Sequence, residues 1–286
     1  MVPPPPRVAA LTDAHVHVVS ADTSAFPLRR GGPGRDWWTG RAVDGHAVVG
    51  DLDAAGVARA VVVQAVGAYG FDNRFARSVV DTQSERFAFV PAVDLEGADP
   101  AADLALLVEE GPVAGVRVFG IGMDGSWLGD GRGRAVWELA AASGITVVPT
   151  VFPRDLPALR ALAGQVPDAL VALDHCGFPD LRGGPPYRNA IELFELAHCP
   201  SIHLKITSVV LRVATANGGT TALAERLLAS FGPRRLCWGS DNPQTLELSY
   251  PEMLALACDA LRTADADARQ LILDGTARRL FWRDEQ

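Results

Sequence analysis

The sequence lacks an excess of positive charge and a long apolar run. Its 26 lysine and arginine residues are outnumbered by 34 aspartate and glutamate residues, and the net charge is −8. Sequence-independent binding to nucleic acid requires a basic surface, so we expect no nucleic-acid partner. No apolar stretch reaches the roughly 18 residues that a transmembrane helix needs, so we expect no membrane partner either.

Cysteine is scarce and scattered. The four cysteines are Cys176, Cys199, Cys237 and Cys258, and no two of them form a Cys-x-x-Cys motif. This usage is typical of buried, reduced thiols in a cytosolic protein. The sequence begins with a proline run instead of a basic segment followed by an apolar one. We therefore expect a flexible proline-rich leader over residues 1–7 and a cytoplasmic location.

Short apolar runs alternate with alanine- and leucine-rich stretches along the 286 residues. Most of these runs are nearly free of polar residues, as in parallel strands that are buried on both faces. The predicted strands are Val8–Val19, Ala58–Val66, Phe87–Val93, Gly115–Phe119, Ile145–Phe152, Leu170–His175, Ile202–Ser208 and Arg235–Ser240. Eight strand–helix repeats without a dividing linker predict an α/β fold, a single (β/α)8 TIM barrel over residues 1–286. A doubly wound open sheet is the alternative, but no Gly-x-Gly-x-x-Gly motif follows an early strand.

The first predicted strand contains Asp13-Ala14-His15-Val16-His17. Because side chains alternate along a strand, His15 and His17 face the same side. Two imidazoles on one face can begin a metal site. A His-x-His pair in a strand is more often an exposed polar face, so the assignment depends on residues further along the chain.

Ionisable residues recur where the later strands end, and catalytic groups of a barrel come from those ends. His175 ends the sixth predicted strand, Lys205 lies in the seventh, and Asp241 follows the eighth. Burying such groups costs several kcal/mol unless they are paired or bound to metal. We therefore expect the imidazoles of His15, His17 and His175 to meet the carboxylate of Asp241 at one end of the barrel.

Three of these residues have an alternative that stays open. His175 could be a hydrogen-bonded core histidine. Asp241 could be a helix N-cap, because Asn242 and Pro243 follow it. Lys205 could reach solvent from its strand. Asp174 precedes His175 and should point the opposite way, so we interpret Asp174 as a structural residue.

The ordered set of motifs is Asp-Ala-His-Val-His at 13–17, Leu-Asp-His-Cys-Gly at 173–177, Leu-Lys-Ile-Thr at 204–207 and Trp-Gly-Ser-Asp at 238–241. This set resembles the amidohydrolase superfamily, specifically its amidohydrolase-related branch of metal-dependent hydrolases and decarboxylases. The resemblance implies that His15, His17 and His175 bind one divalent metal ion, with Asp241 as a further ligand or the general base. Zinc is the first candidate, manganese the second, and a site without metal stays open. Lys205 does not match the bridging lysine of binuclear members, which lies on an earlier strand.

Within this branch, the compact length of the chain is similar to that of the lactonases. Residues 64–73 resemble the second-strand segment of pyrone-dicarboxylate lactonases and related lactonases. The resemblance implies substrate contacts by Tyr69, Asn73, Arg117 and Arg212. Phe178 stands where the pyrone-dicarboxylate pattern has an arginine, so a less charged lactone or ester is an alternative substrate.

The sequence therefore predicts a hydrolase of a lactone or cyclic ester that bears a carboxylate or similar polar group. Its predicted catalytic residues are Asp241, His175 and Lys205, with Asp241 as general base. Two alternatives are a non-oxidative decarboxylase on the same ion, and a repurposed barrel that binds a ligand or acts as a cyclase in secondary metabolism. The predicted partner is a small-molecule substrate, and a homo-oligomer is left open.

Overall fold

The computed structural model describes residues 10–29, 37–39, 41–123 and 125–283. The predicted leader over residues 1–7 lies outside this part of the chain. The described strands are β1 (Thr12–Val16), β2 (Arg59–Val63), β3 (Phe87–Val90), β4 (Ala92–Val93), β5 (Gly115–Phe119), β6 (Thr146–Thr150), β7 (Val171–Leu173), β8 (Ile202–Thr207) and β9 (Leu236–Gly239). Every pairing between neighbouring strands is parallel. Each predicted strand contains an observed one.

The third predicted strand is split in two by Pro91. Proline has no backbone N–H and cannot donate to a strand ladder, so β3 ends before it and β4 begins after it. The ladder accordingly divides into a three-stranded sheet, β1-β2-β3, and a six-stranded sheet, β4-β5-β6-β7-β8-β9.

Backbone hydrogen bonds join the two sheets at both of their edges. At one edge, the N–H of Ala114, the residue before β5, donates to the carbonyl of Phe89 in β3 at 2.8 Å. At the other edge, the N–H of Asp241 donates to the carbonyl of His15 at 2.9 Å, which links the first strand to the segment after the last. The strands thus form the predicted (β/α)8 TIM barrel.

The helices cover the outside of the barrel. They are α1 (Gly45–Ala55), α2 (Val66–Tyr69), α3 (Arg74–Thr82), α4 (Pro100–Glu109), α5 (Arg132–Ala142), α6 (Leu156–Gln165), α7 (Ile191–Glu195), α8 (Ser208–Thr215), α9 (Thr220–Phe231), α10 (Tyr250–Ala260), α11 (Ala266–Gln270) and α12 (Thr276–Phe281). Local signals set their ends: Asp44 caps the first N–H groups of α1, and Gly56 ends that helix in a left-handed conformation with φ 69°. Most of the buried apolar side chains form one continuous core cluster. The cysteines are free thiols, with Cys176 and Cys237 buried.

The N-terminal end of the barrel is closed by a π-helical turn, Leu271–Gly275, and by α12. The hydroxyl of Thr12, the first residue of β1, donates to Asp274 at 2.7 Å. The hydroxyl of Thr146, the first residue of β6, donates to the carbonyl of Leu280 at 2.7 Å. Among the described residues, this end of the barrel is therefore occupied by protein, and the predicted site residues lie at the opposite end, where the strands terminate.

Candidate functional site

His15 and His17 face each other inside the barrel, and their Nε2 atoms are 3.1 Å apart. The Nδ1 of His15 lies 3.0 Å from Oδ1 of Asp174, and the Nδ1 of His17 lies 2.7 Å from the carbonyl of Val63. A carboxylate and a carbonyl only accept hydrogen bonds, so each Nδ1 carries the proton and donates it. Each Nε2 consequently presents its lone pair toward the other ring.

The carboxylate of Asp241 is the third acceptor at this point. Its Oδ1 lies 3.5 Å from Nε2 of His15 and 3.4 Å from Nε2 of His17. Both carboxylate oxygens are buried and have no hydrogen-bond partner among the described residues. Three buried acceptors that converge without a donor are costly for a protein on its own, and they match the nitrogen and oxygen ligands that a divalent cation requires.

His175 reaches the same cluster through a break in regular structure. Strand β7 ends at Leu173, and His175 adopts a left-handed backbone conformation with φ 53°. Its ring centroid lies 5.0 Å from that of His15, and its Nδ1 is 2.9 Å from the hydroxyl of Thr207. The structure therefore brings together the three histidines and Asp241, although the roles predicted for them stay predictions.

Asp174 does not point away from His175 as the strand alternation predicts. The strand has already ended and the backbone turns sharply, so both side chains face the barrel interior. Oδ1 of Asp174 accepts from His15, while Oδ2 accepts from the hydroxyl of Thr150 at 2.6 Å. Asp174 is thus a central member of the cluster, and the expectation of a side chain directed away from the site is wrong.

Lys205 is fully buried, so the alternative of a strand lysine that reaches solvent is wrong. Its Nζ lies 3.1 Å from Oδ1 of Asp174 and 3.4 Å from Nδ1 of His15. Arg117 approaches the same carboxylate, with Nη2 3.4 Å from Oδ2 of Asp174. Two buried cations therefore flank one buried carboxylate beside the histidines.

The environment fixes the protonation states of these groups. Burial lowers the pKa of His15 well below its usual value, and burial also lowers the pKa of His175. Both rings are therefore neutral near pH 7, as metal ligation requires. Burial alone would raise the pKa of Asp174, but Lys205 and His15 hold it well below its usual range. Burial likewise opposes ionisation of Asp241, and the neighbouring histidines outweigh it and lower the pKa of that carboxyl.

A cavity opens above the cluster toward the C-terminal ends of the strands. Its polar floor includes His17, Arg117, Thr150 and His175. Its wall is mostly apolar and aromatic, with Trp37, Ala65, Val66, Phe119, Ile121 and Phe178. The indole of Trp37 stacks on the ring of His17, with centroids 5.4 Å apart. Apolar walls around a few convergent polar groups are typical of a small-molecule site.

The sequence profile of the amidohydrolase family matches residues 12–283 of the chain. The chain belongs to the amidohydrolase family. It is therefore an enzyme of a hydrolase family, as the resemblance of its motifs predicts.

Individual relatives agree with this assignment. The chain is 30% identical over 202 residues to an L-fucono-1,5-lactonase of Burkholderia ambifaria, and the match covers 67% of each chain. A Pseudomonas putida structure described as a 2-pyrone-4,6-dicarboxylic acid hydrolase has a TM-score of 0.78 at 29% identity, and the match covers 97% of this chain and 98% of that one. A Burkholderia multivorans amidohydrolase with bound zinc also has a TM-score of 0.78, at 22% identity, with 96% and 99% of the two chains covered.

Arg212, the second arginine that the family resemblance selects, lies outside this cavity. It is part of an adjacent groove at the barrel mouth that shares Trp37 and Gln244 with the cavity. Its Nη1 lies 2.9 Å from Oε2 of Glu247, and both side chains are exposed. A substrate contact by Arg212 therefore stays a prediction, and it concerns the mouth instead of the floor.

Tyr69 and Asn73 make contacts within the protein and do not line the cavity. The hydroxyl of Tyr69 accepts from the backbone N–H of Ser20 at 2.7 Å. The side-chain amide of Asn73 donates to the carbonyl of Ala92 at 2.9 Å and accepts from the N–H of the same residue at 2.8 Å. These bonds hold the segments around β1 and β4 in place, and the substrate contacts assigned to both residues are untested.

Sequence reasoning missed three residues that support the cluster. Thr150 donates to Asp174 and accepts from Nε of Arg117 at 3.0 Å, and Thr207 contacts His175. Gln64 accepts from Nη1 of Arg117 through its backbone carbonyl at 2.6 Å. Thr150 and Thr207 end the observed strands β6 and β8 and lie near the ends of the predicted ones. A polar residue at that end of a barrel strand is the signal that could have identified them.

Among the described residues, no helix is long and apolar enough to cross a membrane.

Proposed function

We propose that the protein hydrolyses the ring ester of a polar lactone to the corresponding hydroxy acid. The observation that carries the proposal is the convergence of His15, His17 and Asp241 as three buried acceptors beneath a cavity with an aromatic wall. Its relatives give additional support, because one is an L-fucono-1,5-lactonase and another is described as a 2-pyrone-4,6-dicarboxylic acid hydrolase.

One divalent cation is the proposed cofactor, with zinc as the first candidate and manganese as the second. His15, His17 and Asp241 would hold it, since one nitrogen or oxygen atom of each lies within 4.8 Å of the others, and His175 is the proposed fourth ligand. The outward Nδ1 atoms of His15 and His17 already donate to fixed acceptors, which is how metal-ligating histidines are usually oriented. When bound, such an ion polarises a lactone carbonyl and lowers the pKa of water.

Asp241 is the proposed general base. Its carboxylate oxygens have no donor among the described residues, and its lowered pKa keeps it ionised at neutral pH. It takes one proton from water as the water oxygen forms a bond to the carbonyl carbon. The bond from that carbon to the ring oxygen then breaks, and Asp241 returns the proton to the departing alkoxide. One water is consumed, and the product is an open-chain hydroxy acid.

Other residues hold the reacting groups and the substrate. His175, whose Nδ1 lies 2.9 Å from the hydroxyl of Thr207, is proposed to contribute a nitrogen ligand to the ion, and Thr207 orients its ring. Arg117 lines the cavity and is proposed to bind a polar substituent of the lactone. Trp37 and Phe178 exclude water from the apolar face of the ring.

The proposal is tested with purified protein that has been dialysed against a chelator. Lactone hydrolysis is followed by the proton that the acid product releases. The substrates are L-fucono-1,5-lactone and 2-pyrone-4,6-dicarboxylate, each without metal, with Zn²⁺ and with Mn²⁺. We expect catalytic hydrolysis of at least one lactone, and we expect Zn²⁺ to restore activity that chelation removes. Failure to hydrolyse any lactone in a broader panel would contradict the proposal, and release of CO2 from a hydroxybenzoate would instead favour the decarboxylase alternative.

A further inference from the structure

Lys205 is the single lysine of the sequence; the other 25 basic residues are arginines. It is also among the largest fully buried side chains of the structure. Its Nζ is directed toward Asp174 on one side and lies 5.3 Å from the centroid of the Phe281 ring on the other. Lys205 does not line the cavity, and its Nζ lies near Nδ1 of His15, whereas Nε2 of the same ring faces His17 and Asp241. The ammonium is therefore on the side of the His15 ring away from the other proposed metal ligands.

The position of this ammonium bears directly on His15. Oδ1 of Asp174 lies 3.0 Å from Nδ1 of His15 and 3.1 Å from Nζ of Lys205, so one oxygen accepts from both groups. A carboxylate that accepts from a ligating histidine increases the basicity of that ring. Lys205 draws on the same carboxylate charge, and it adds a positive charge of its own 3.4 Å from the imidazole.

Asp174 has other partners besides Lys205. Its Oδ2 accepts from Thr150 at 2.6 Å and lies 3.4 Å from Nη2 of Arg117, while Oδ1 also accepts from His15. If an uncharged side chain replaces Lys205, Asp174 therefore keeps a neighbouring cation, a hydroxyl donor and an imidazole donor. The replacement removes a positive charge from the vicinity of His15 and leaves in place the hydrogen bond that orients its ring.

We propose that Lys205 is a positioning residue that weakens divalent-metal binding at the histidine cluster by holding a fixed positive charge against Asp174. This inference rests on the proposed metal site, and it assigns Lys205 a role through His15 instead of direct contact with substrate. We therefore expect the bound metal ion to exchange readily, because Lys205 lowers the metal affinity of the site below the value that its ligands alone would give.

The test compares the metal affinity of Lys205→Met, which keeps the length and apolar stem without the charge, with that of the wild-type chain. Lys205→Arg keeps the charge, and Arg134→Met removes an exposed arginine on α5 as the matched control. Each apoprotein is titrated with Zn²⁺ in competition with a fluorescent zinc chelator. We expect Lys205→Met to bind Zn²⁺ about 10–100-fold more tightly, the range that groups around metal ligands usually control, and both other variants to stay near wild type.

Equal or weaker zinc binding by Lys205→Met would overturn the proposal, as would a failure of both the wild type and this variant to bind zinc. The lactone assay is separate, so hydrolysis that persists without zinc binding would leave the proposed reaction intact while removing this role of Lys205.

A second measurement uses the wild-type chain, in case Lys205→Met does not fold. Incorporation of [15N]lysine labels one side-chain ammonium, because the sequence has one lysine. We expect that single Nζ resonance to shift as one equivalent of Zn²⁺ binds. An unshifted resonance under saturating zinc would show that the ammonium and the ion are not coupled, and would overturn the proposal.

Discussion

Replacing Asp241 by asparagine separates the chemical role of this residue from its structural role. The carboxylate is fully buried, and its Oδ1 lies 3.4 and 3.5 Å from two Nε2 atoms that also present lone pairs. Asparagine preserves the shape of the side chain, removes the proton acceptor and brings an N–H donor to the same point. We therefore expect opposite effects on activity and on the stability of the metal-free protein.

The activity should fall strongly. General base catalysis contributes about 10²–10⁴-fold, and kcat should fall by that factor in Asp241→Asn. The stability of the apoprotein should hold or increase, because a donor between the Nε2 atoms of His15 and His17 relieves an unsatisfied buried site worth about 1–3 kcal/mol. Weaker ligation by an amide would also reduce bound metal, so metal content is measured beside each rate.

The assay follows kcat and KM for lactone hydrolysis across the pH range, together with urea unfolding of the metal-free proteins. Asp53→Asn, an exposed aspartate on α1, is the matched control and should leave all three quantities unchanged. The wild-type profile of kcat/KM should have an acidic limb that is absent from Asp241→Asn. Hydrolysis within about tenfold of wild type at equal metal content would refute the role of the carboxylate as base.

Three further predictions concern stability and the geometry of the cluster. Burial lowers the pKa of His203 to about 4, so between pH 6.5 and 4 the unfolded chain binds a proton that the folded chain does not. Acidification across this range should lower the free energy of unfolding by up to about 3 kcal/mol. His203→Gln should reduce this pH dependence of the free energy measured by urea unfolding. Arg117→Met should lower the free energy of unfolding by about 3 kcal/mol, because it breaks a buried ion pair. Arg212→Met removes an exposed ion pair and should lower it by less than about 1 kcal/mol. Equal losses in urea unfolding would contradict this difference. Gly239→Ala would place a Cβ 2.8 Å from Cβ of His15, and the two groups would clash. Calorimetry should therefore show a lower Tm, and competition with a chelator should show weaker zinc binding.

The barrel and most of the cluster could be predicted from the sequence because both follow from simple periodicities. Apolar strands at regular spacing predict the repeat, and polar residues at strand ends predict that His15, His17, His175 and Asp241 meet. The alternation of side chains places His15 and His17 correctly, although β1 ends at Val16 and its pairing with β2 shifts register between Asp13 and Val16.

The same rule fails at Asp174 for a local reason. Its strand ends one residue earlier, and the left-handed backbone of His175 then turns both side chains inward. Nothing in a pattern of apolar and polar residues signals such a turn, since a positive φ is uncommon for any residue other than glycine. The burial of Lys205 could not be predicted from the sequence either, because it depends on Asp174, which lies inside the barrel and compensates the positive charge of Lys205.

The resemblance could select Arg212, but the sequence predicted neither its place on α8 nor its surroundings. Glu247, which pairs with it, lies 35 residues further along the chain. The resemblance to lactonases selected the position, and the partner that now neutralises its charge belongs to a loop without regular structure. Contacts between loops at a barrel mouth depend on their conformations, which local periodicity does not encode.

The hydrogen bonds that join the first strand to the segment after the last have a consequence for biosynthesis. Ser240 donates its backbone N–H to Asp13 across 227 positions of sequence, and Asp241 donates to His15 at the same seam. A ribosome must therefore release nearly the entire chain before the first two histidines meet their carboxylate. A nascent or truncated chain that ends before this seam presents His15 and His17 without Asp241, so the proposed ligand set exists only in the completed barrel. If the proposed ion binds there, the metal content of a preparation would measure the fraction of molecules whose barrel has closed.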